Sequence, residues 1–149
     1  MKPIVYLGAD HAGFDLKNYL KTILKKKGYT VHDMGNTNYD PSDDYPDFAA
    51  KVGKAVAKNK NARGILCCGS AEGICIAANK IKGVRAVAVW NLANAKLSRE
   101  HNDANVLCLS GWQLSKKRAE KITATWLRTP FSKATRHVRR LKKISALER

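Results

Sequence analysis

Short apolar runs rich in β-branched residues alternate along the chain with longer segments in which apolar residues recur every three or four positions. The short runs are typical of strands buried on both faces of a sheet, and the longer segments are typical of amphipathic helices. The predicted strands are Ile4–Gly8, Thr30–Met34, Gly64–Cys68, Val84–Trp90 and Asn105–Leu109. The predicted helices cover roughly Ala12–Lys27, Asp47–Lys58, Glu72–Ile81, Leu92–Glu100, Leu114–Arg128 and Phe131–Leu147.

This alternation predicts a single-domain α/β fold over residues 1–149, a three-layer αβα sandwich with a five-stranded parallel, Rossmann-like sheet. The length suits one domain, and no internal repeat, low-complexity linker or domain boundary is visible. One long loop, Gly35–Pro46, is rich in Asn, Asp, Pro and Ser. A loop of that length in a compact domain is more often functional than idle, so we expect it to lie near a site.

The segment Gly64–Lys80, GILCCGSAEGICIAANK, carries the clearest chemical signal. A buried strand ends in Cys68, a turn of small residues follows at Gly69–Gly73, and an apolar helix begins. Unpaired N–H groups at the start of a helix bind anions and favour a thiolate, which makes Cys68 a candidate base or nucleophile. The alternative is a turn that uses small residues only for close packing, beside an inert buried cysteine.

Composition and charge narrow the class of protein. The net charge of +16 and the pI near 10.0 suggest nucleic-acid binding. The Lys and Arg residues are scattered at helical spacing without interleaved aromatic residues, however, so we expect no specific nucleic-acid partner. No apolar run reaches the ~18 residues of a membrane span, and the N-terminus lacks the pattern of a signal peptide. The four cysteines show no C-x-x-C spacing, which predicts reduced thiols in a cytoplasmic protein.

Chemically active side chains follow several of the predicted strands. Asp10–His11 comes after the first strand, Cys68 ends the third, and Trp112 comes after the fifth. The helix after the fourth strand ends near His101–Asn102. In an open parallel sheet, ligands bind outside the carboxyl ends of the strands. We therefore expect a carboxylate, two imidazoles, a thiol and an amide to meet at one edge of the sheet.

These residues carry a resemblance to a known family. Over nearly its whole length the chain is similar to the type B ribose-5-phosphate isomerases and to their relatives that isomerise galactose 6-phosphate and allose 6-phosphate. The motifs are GADHAGF at 8–14, DYPD at 44–47, CGSAEGICIAANK at 68–80, SREHNDANVL at 98–107 and RHVRRL at 136–141.

The resemblance implies an aldose–ketose isomerase of carbohydrate metabolism, in the pentose phosphate pathway, that uses neither a metal nor a cofactor. It also implies a homodimer or a dimer of dimers with active sites shared between subunits. In that arrangement the C-terminal helix, at about 131–147, reaches the partner subunit.

The same resemblance assigns roles to individual residues. Cys68 is the base that moves a proton between C2 and C1 through a cis-enediol, and a positioned base contributes about 10²–10⁴-fold. His101 opens the sugar ring, and Asp10 acts on the anomeric hydroxyl or orients an imidazole. Asn102 holds the enediolate oxygen together with backbone N–H groups of the loop formed by Gly69, Ser70, Ala71, Glu72 and Gly73. Ser70 is expected to hydrogen-bond within the loop or to the substrate; the alternative is a turn serine that caps the following helix.

The phosphate of the substrate is expected to bind two arginines of the last helix. Arg136 and Arg140 lie four positions apart and therefore on one helix face. By resemblance they reach the phosphate in the partner subunit, with help from His11 and a contribution from His137. The residues alone favour a different interpretation, a basic helix face in contact with solvent. Glu72 is expected to be a residue of the helix start and not the base.

Two positions depart from the family pattern. Trp112 stands where relatives usually carry a phosphate-binding Arg, and its flat ring could instead cover a sugar or narrow the pocket. Ala71 stands where relatives usually have Gly, and it is strained if the position requires a positive φ. We expect ribose 5-phosphate as substrate, with erythrose 4-phosphate, allose 6-phosphate or galactose 6-phosphate as alternatives. A noncatalytic relative that binds a sugar phosphate is the remaining alternative.

Overall fold

The five predicted strands form one parallel sheet. The computed structural model describes residues 1–148. The strands are β1 (Ile4–Ala9), β2 (Val31–Asp33), β3 (Ala62–Cys68), β4 (Ala86–Ala88) and β5 (Val106–Ser110). Their order across the sheet is β2-β1-β3-β5-β4, and each neighbouring pair runs in parallel. Parallel strands need long crossovers, and helices fill these connections.

The helices cover both faces of the sheet. They are α1 (Phe14–Lys26), α2 (Tyr45–Ala57), α3 (Glu72–Ala78), α4 (Leu92–Asn102), α5 (Lys116–Arg128) and α6 (Thr135–Ser145), with a 3₁₀ turn at His11–Gly13 before α1. Side-chain caps fix two of the starts. Asn91 Oδ1 accepts the Asn94 N–H at 2.8 Å, and Ser115 Oγ accepts the Arg118 N–H at 3.1 Å. Each cap satisfies a donor that the first turn of a helix leaves unpaired.

Two hydrophobic cores lie on opposite faces of the sheet. Leu20 of α1 and Trp126 of α5 belong to one core, and Val52 of α2 belongs to the other. Cys67 faces the first core and Cys68 the second, because successive side chains of a strand point to opposite faces. The three-layer αβα prediction is therefore confirmed.

Element boundaries differ most at the β4 edge of the sheet. The predicted strand Val84–Trp90 shrinks to three residues, because β4 pairs with β5 alone. The Asn79 side chain occupies its free edge, where Nδ2 donates to the Ala86 carbonyl at 2.9 Å and Oδ1 accepts the Ala86 N–H at 2.8 Å. Covering an edge in this way blocks pairing with another chain. The last helix begins at Thr135, four residues after its predicted start.

A buried ammonium ties the long loop to the sheet. Lys17 of α1 is fully buried, and its Nζ donates to Asp33 Oδ1 at 2.9 Å and also to the Asn36 carbonyl. Lys21 donates to Asp33 Oδ2 at 2.7 Å. Although burial opposes ionisation, these hydrogen bonds hold the pKa of Asp33 below its ordinary value. The loop after β2 consequently leaves the sheet along a fixed path.

Among residues 1–148, the four cysteines are free thiols. Cys67, Cys68 and Cys108 are buried, and Cys75 is half-buried. Every helix within the same residues is too short or too polar to cross a lipid bilayer.

Candidate active site

Cys68 lies at the end of β3, where the chain turns into α3. Its side chain is buried, at 4 % exposure. Burial raises the pKa of the Cys68 thiol, and hydrogen bonds from the N–H groups of Ile74, Ala71 and Ser70 oppose this only in part. The free protein therefore holds a thiol at neutral pH. The sequence suggested that the helix start would favour a thiolate; desolvation outweighs that effect here.

The loop between β3 and α3 is strained at one residue. Ala71 has φ +70°, a left-handed conformation that costs an L-residue roughly 1–2 kcal/mol. The sequence predicted strain at Ala71 if its position required a positive φ, and the turn does require one. Ser70 Oγ accepts the Glu72 N–H at 3.4 Å, a long contact that leaves the hydroxyl available to a ligand.

The loop after β1 packs directly on the Cys67–Cys68 segment. Asp10 Oδ1 accepts the Gly13 N–H at 3.1 Å and holds the 3₁₀ turn. A Cβ at Gly13 would lie 2.2 Å from the Cys67 carbonyl oxygen, so only glycine allows this approach. Burial raises the pKa of Asp10. The carboxyl group of Asp10 is thereby held at the same end of the sheet as the Cys68 thiol, as the sequence predicted, and its charge adds to the increase in the pKa of Cys68.

His11 has a partner that the sequence did not indicate. Its backbone N–H donates to Asp43 Oδ1 at 2.9 Å, and its Nδ1 lies 2.8 Å from the same oxygen. Asn36 Nδ2 donates to Asp43 Oδ2 at 2.6 Å. The hydrogen bond that His11 donates to Asp43 raises the pKa of His11. The only signal in the sequence was the polar composition of the long loop, which did not single out Asp43.

These loops enclose a cavity of about 540 Å³ at the carboxyl ends of β1 and β3. The predicted residues that line it are Asp10, His11, Cys68, Gly69, Ser70, Glu72, Gly73 and Trp112. The indole of Trp112 lies over Gly69, because a Cβ there would meet Trp112 Cε2 at 2.6 Å. Tyr45 covers Gly73 in the same way, with its Cζ 2.6 Å from an added Cβ. Two aromatic rings that line the cavity thus pack against the glycines of the loop.

Three side chains that line the cavity could hold a cation. Asp10, His11 and Asp43 each offer one ligand atom, and these atoms lie within 4.8 Å of one another. The hydrogen bond between His11 and Asp43 already uses two of them, so a bound cation would have to displace it. The expectation of a metal-free enzyme stays a prediction.

The remaining predicted residues lie elsewhere in the chain. α4 runs back from the carboxyl end of β4, so His101 and Asn102 lie at the opposite end of the sheet, where the strands begin. There Arg85, directly before β4, donates from Nε to the Asn102 carbonyl at 3.1 Å. The expectation that all these groups meet at the carboxyl ends of the strands within a single chain is therefore wrong. A helix that joins two parallel strands must return to the edge where strands begin.

The second group of residues centres on a histidine pair. The rings of His101 and His137 lie 4.3 Å apart between centroids, and His137 Nδ1 is 2.7 Å from Ser132 Oγ. Burial and the nearby charges of His101, Arg136 and Arg140 lower the pKa of His137. Both arginines are exposed and form no ion pair within the described chain. This end of the sheet therefore presents an imidazole, an amide and two uncompensated guanidinium groups.

Comparison with known proteins gives a consistent result. The sequence model of a family described as ribose/galactose isomerase matches residues 5–144. The chain is 41% identical to a probable ribose-5-phosphate isomerase B of Mycoplasma pneumoniae, over 97% of this chain and 95% of that one. It is 40% identical to ribose-5-phosphate isomerase B of Escherichia coli, over 99% and 97% of the two chains.

A solved structure extends the likeness to the fold. Ribose-5-phosphate isomerase B of Mycoplasma genitalium, with bound ribulose-5-phosphate, superposes with a TM-score of 0.93 at 42% identity. The match covers 97% of this chain and 95% of that one. Sequence, fold and the motifs that line the cavity agree, and the chain belongs to the ribose/galactose isomerase family.

Proposed function

We propose that this protein interconverts ribose 5-phosphate and ribulose 5-phosphate, with Cys68 as the base. The observation that carries the proposal is the Cys68 thiol beside the 540 Å³ cavity, together with the N–H groups that point towards its sulfur. Relatives named ribose-5-phosphate isomerase B support the substrate, and one of them binds ribulose-5-phosphate.

The reaction is a proton transfer between two carbons. The Cys68 thiolate removes the proton from C2 of the open-chain aldose, which leaves a cis-enediolate and a thiol. The thiol then returns a proton to C1, and the proton on O2 moves to O1 as the C2 carbonyl forms. Backbone N–H groups of residues 69–73 hold the oxygen charge meanwhile, and one such donor is worth about 3–4 kcal/mol. Because Cys68 is a thiol at neutral pH, only a minor fraction of the free enzyme is in the active form.

A second copy of the chain completes the site in this proposal. The cavity at Cys68 has no Lys or Arg in its lining within the described chain, yet it must hold a phosphate. Arg136 and Arg140 lie near His101, at the other end of the same subunit. Both are exposed, and neither has a carboxylate partner within residues 1–148. A two-fold dimer in which this end docks on the partner's cavity brings the arginines to the phosphate and His101 to the sugar ring. Asn102 then joins the oxyanion site.

Trp112 supports a second candidate, an isomerase of another aldose phosphate. The side chain is 75% exposed and projects from the rim of the cavity, over Gly69. A flat apolar ring in that place offers a surface to a sugar and no charge to a phosphate. Erythrose 4-phosphate, allose 6-phosphate and galactose 6-phosphate are the substrates that this reading adds, and a noncatalytic sugar-phosphate-binding protein is the remaining alternative.

The test is isomerisation of these four sugar phosphates by the purified protein. Cys68→Ala is the blank, and Cys67→Ala is the matched control, because Cys67 points to the opposite core. Turnover fastest on ribose 5-phosphate, lost in Cys68→Ala and kept in Cys67→Ala, supports the proposal. Faster turnover of another sugar makes Trp112 the specificity residue. If the folded protein turns over none of the four sugar phosphates, the isomerase hypothesis is rejected and a noncatalytic sugar-phosphate-binding protein remains.

A further inference from the structure

The charges that line the cavity do not suit a phosphate. Four carboxyl groups line it, those of Asp10, Asp43, Asp44 and Glu72. His11 is the one lining side chain of this subunit, within the described residues, that can carry a positive charge. An anionic ligand therefore depends on the protonation state of a single imidazole at this end of the site.

Three hydrogen bonds fix the side chain of Asp43, which in turn holds the imidazole of His11. Asp43 Oδ1 accepts the backbone N–H of His11 at 2.9 Å and lies 2.8 Å from its Nδ1. The other oxygen, Oδ2, accepts Asn36 Nδ2 at 2.6 Å. The Asp43 side chain is 6% exposed, so water offers it little competition. A carboxylate in this position sets the tautomer, because Nδ1 must carry the proton that it donates.

The other ring nitrogen of His11 is left available to a ligand. His11 lines the cavity, and its Nε2 has no hydrogen-bond partner within the part of the chain that the structure describes. With Nδ1 bound to Asp43, a neutral imidazole presents a bare acceptor at Nε2, which repels a phosphate oxygen. A protonated imidazole presents an N–H donor instead, and a charged donor binds phosphate about twice as strongly as a neutral one.

We propose that Asp43 is a positioning residue that orients the imidazole of His11 and favours its protonated form, with Nε2–H directed at the phosphate of the substrate. The proposal rests on the proposed function for the identity of the ligand. The relationship between Asp43 and His11 does not depend on it.

The groups around His11 favour its charged form. The hydrogen bond to Asp43 is the largest influence on the pKa of His11; desolvation opposes it, and the charges of Asp10, Asp43 and Asp40 add to the increase. The ring of Tyr39 meets the imidazole edge-on, with 6.4 Å between centroids. Asp44 and Glu72 line the same cavity, as described above.

A simpler role for Asp43 is structural, because it also accepts the backbone N–H that starts the turn. Asp43→Asn separates the two roles. The amide oxygen still accepts the backbone N–H, while the negative charge beside the imidazole is lost. Asp40→Asn is the matched control: this exposed carboxylate belongs to the same loop but bonds Ser42 and not His11.

The first measurement is an NMR titration of His11 in the free proteins, with its resonance assigned from the spectrum of His11→Gln. We expect a lower pKa of His11 in Asp43→Asn than in the wild type, and a much smaller decrease in Asp40→Asn. Inorganic phosphate, added at neutral pH, should shift the His11 resonance in the wild type and less in Asp43→Asn at the same concentration. Equal His11 titrations in the wild type and Asp43→Asn would overturn the proposal.

The second measurement separates binding from chemistry. At pH 7 we expect KM for ribose 5-phosphate to rise about tenfold in Asp43→Asn, the size of one charge-assisted hydrogen bond, with kcat within a few-fold. The difference in KM should close in mildly acidic buffer, where both proteins protonate His11; a purely structural defect would persist there. Shifted titrations without any isomerase activity would reject the proposed function and leave the Asp43–His11 relationship standing.

Discussion

The indole of Trp112 lies against the backbone of Gly69, with Cε2 at 2.6 Å from the position that a Cβ would take. The residue after the proposed base is therefore covered by an aromatic ring from the loop after β5. Ser110 strengthens this contact between loops, because its Oγ donates to the Gly69 carbonyl at 2.6 Å. The rim residue that differs from the family pattern is thus in contact with the catalytic loop.

Trp112→Arg should improve the use of ribose 5-phosphate. A guanidinium at this rim would add a charge-assisted contact to the phosphate, and we expect kcat/KM to rise by about tenfold. Competition assays between ribose 5-phosphate and allose 6-phosphate measure the change in preference. Trp112→Ala is the control that removes the ring without adding a charge. Equal kcat/KM values in Trp112→Arg and Trp112→Ala would show that position 112 does not reach the phosphate.

The pH dependence of the reaction follows from the raised pKa of Cys68. A thiol that ionises above its ordinary range supplies more base as pH rises, so activity should increase from the acidic side. Where His11 keeps its proton, kcat/KM should rise about tenfold per unit of pH. A stopped assay of ribulose 5-phosphate formation between mildly acidic and neutral pH gives the slope. A rate independent of pH in that range would contradict Cys68 as a base with a raised pKa.

Stability should depend on the carboxylate that pairs with the buried Lys17. Asp33→Asn leaves that ammonium buried without a carboxylate to balance its charge, which should lower the free energy of unfolding by about 3–5 kcal/mol. Lys21→Met is the control: Lys21 is 30% exposed, so its loss should cost only about 0.2–1 kcal/mol. Urea unfolding curves at pH 7 compare the two variants. Similar midpoints for both would mean that Lys17 does not need Asp33.

The same pair predicts a loss of stability in acid. The folded protein holds the pKa of Asp33 below its unfolded value, so the stabilisation is complete above about 3.9, the ordinary Asp value. It is lost as the pH falls through the lower, folded value. Unfolding curves collected at falling pH should show a smaller pH dependence for Asp33→Asn than for the wild type. Parallel curves for the two proteins would contradict this assignment.

Mixed subunits test whether the site is shared. Cys68→Ala and His101→Ala should each be inactive alone, and a heterodimer of the two should contain one intact site. Equal amounts, unfolded and refolded together, should recover about a quarter of the wild-type activity under random two-fold pairing. Variants refolded separately and then mixed briefly are the control. No recovery in folded mixed dimers would place Cys68 and His101 in sites that do not meet.

The sequence predicted the layers of this fold because the strands are continuous apolar runs and the helices keep their period. It overestimated β4, since a run such as Val84–Trp90 cannot reveal that it lies at a sheet edge with one partner. The placement of His101 was wrong for a reason that the topology already contained. A helix that connects two parallel strands runs antiparallel to them, so its last residues lie at the opposite end of the sheet from its first residues.

The residues around His11 show a different limit. Asp10 and Cys68 adjoin predicted strands, so strand geometry was enough to place them at one edge. Asp43 lies within an irregular polar loop that contains several acidic residues. The hydrogen bonds of Lys17 with Asp33 and Asn36 help to set the path of this loop, and that path determines which carboxylate meets the imidazole. No local pattern encodes such a relationship.

The burial of Cys68 has a consequence for covalent inhibitors of this protein. General electrophiles react with exposed thiolates, and the Cys68 sulfur is neither exposed nor ionised in the resting protein. Cys75, half-buried and with its pKa lowered by a hydrogen bond with Cys108, is the thiol that such reagents meet first. A warhead selective for Cys68 has to be carried into the cavity by a sugar-like, anionic scaffold that binds before it reacts. Selectivity would then come from recognition of the scaffold, with little contribution from the intrinsic reactivity of the thiol.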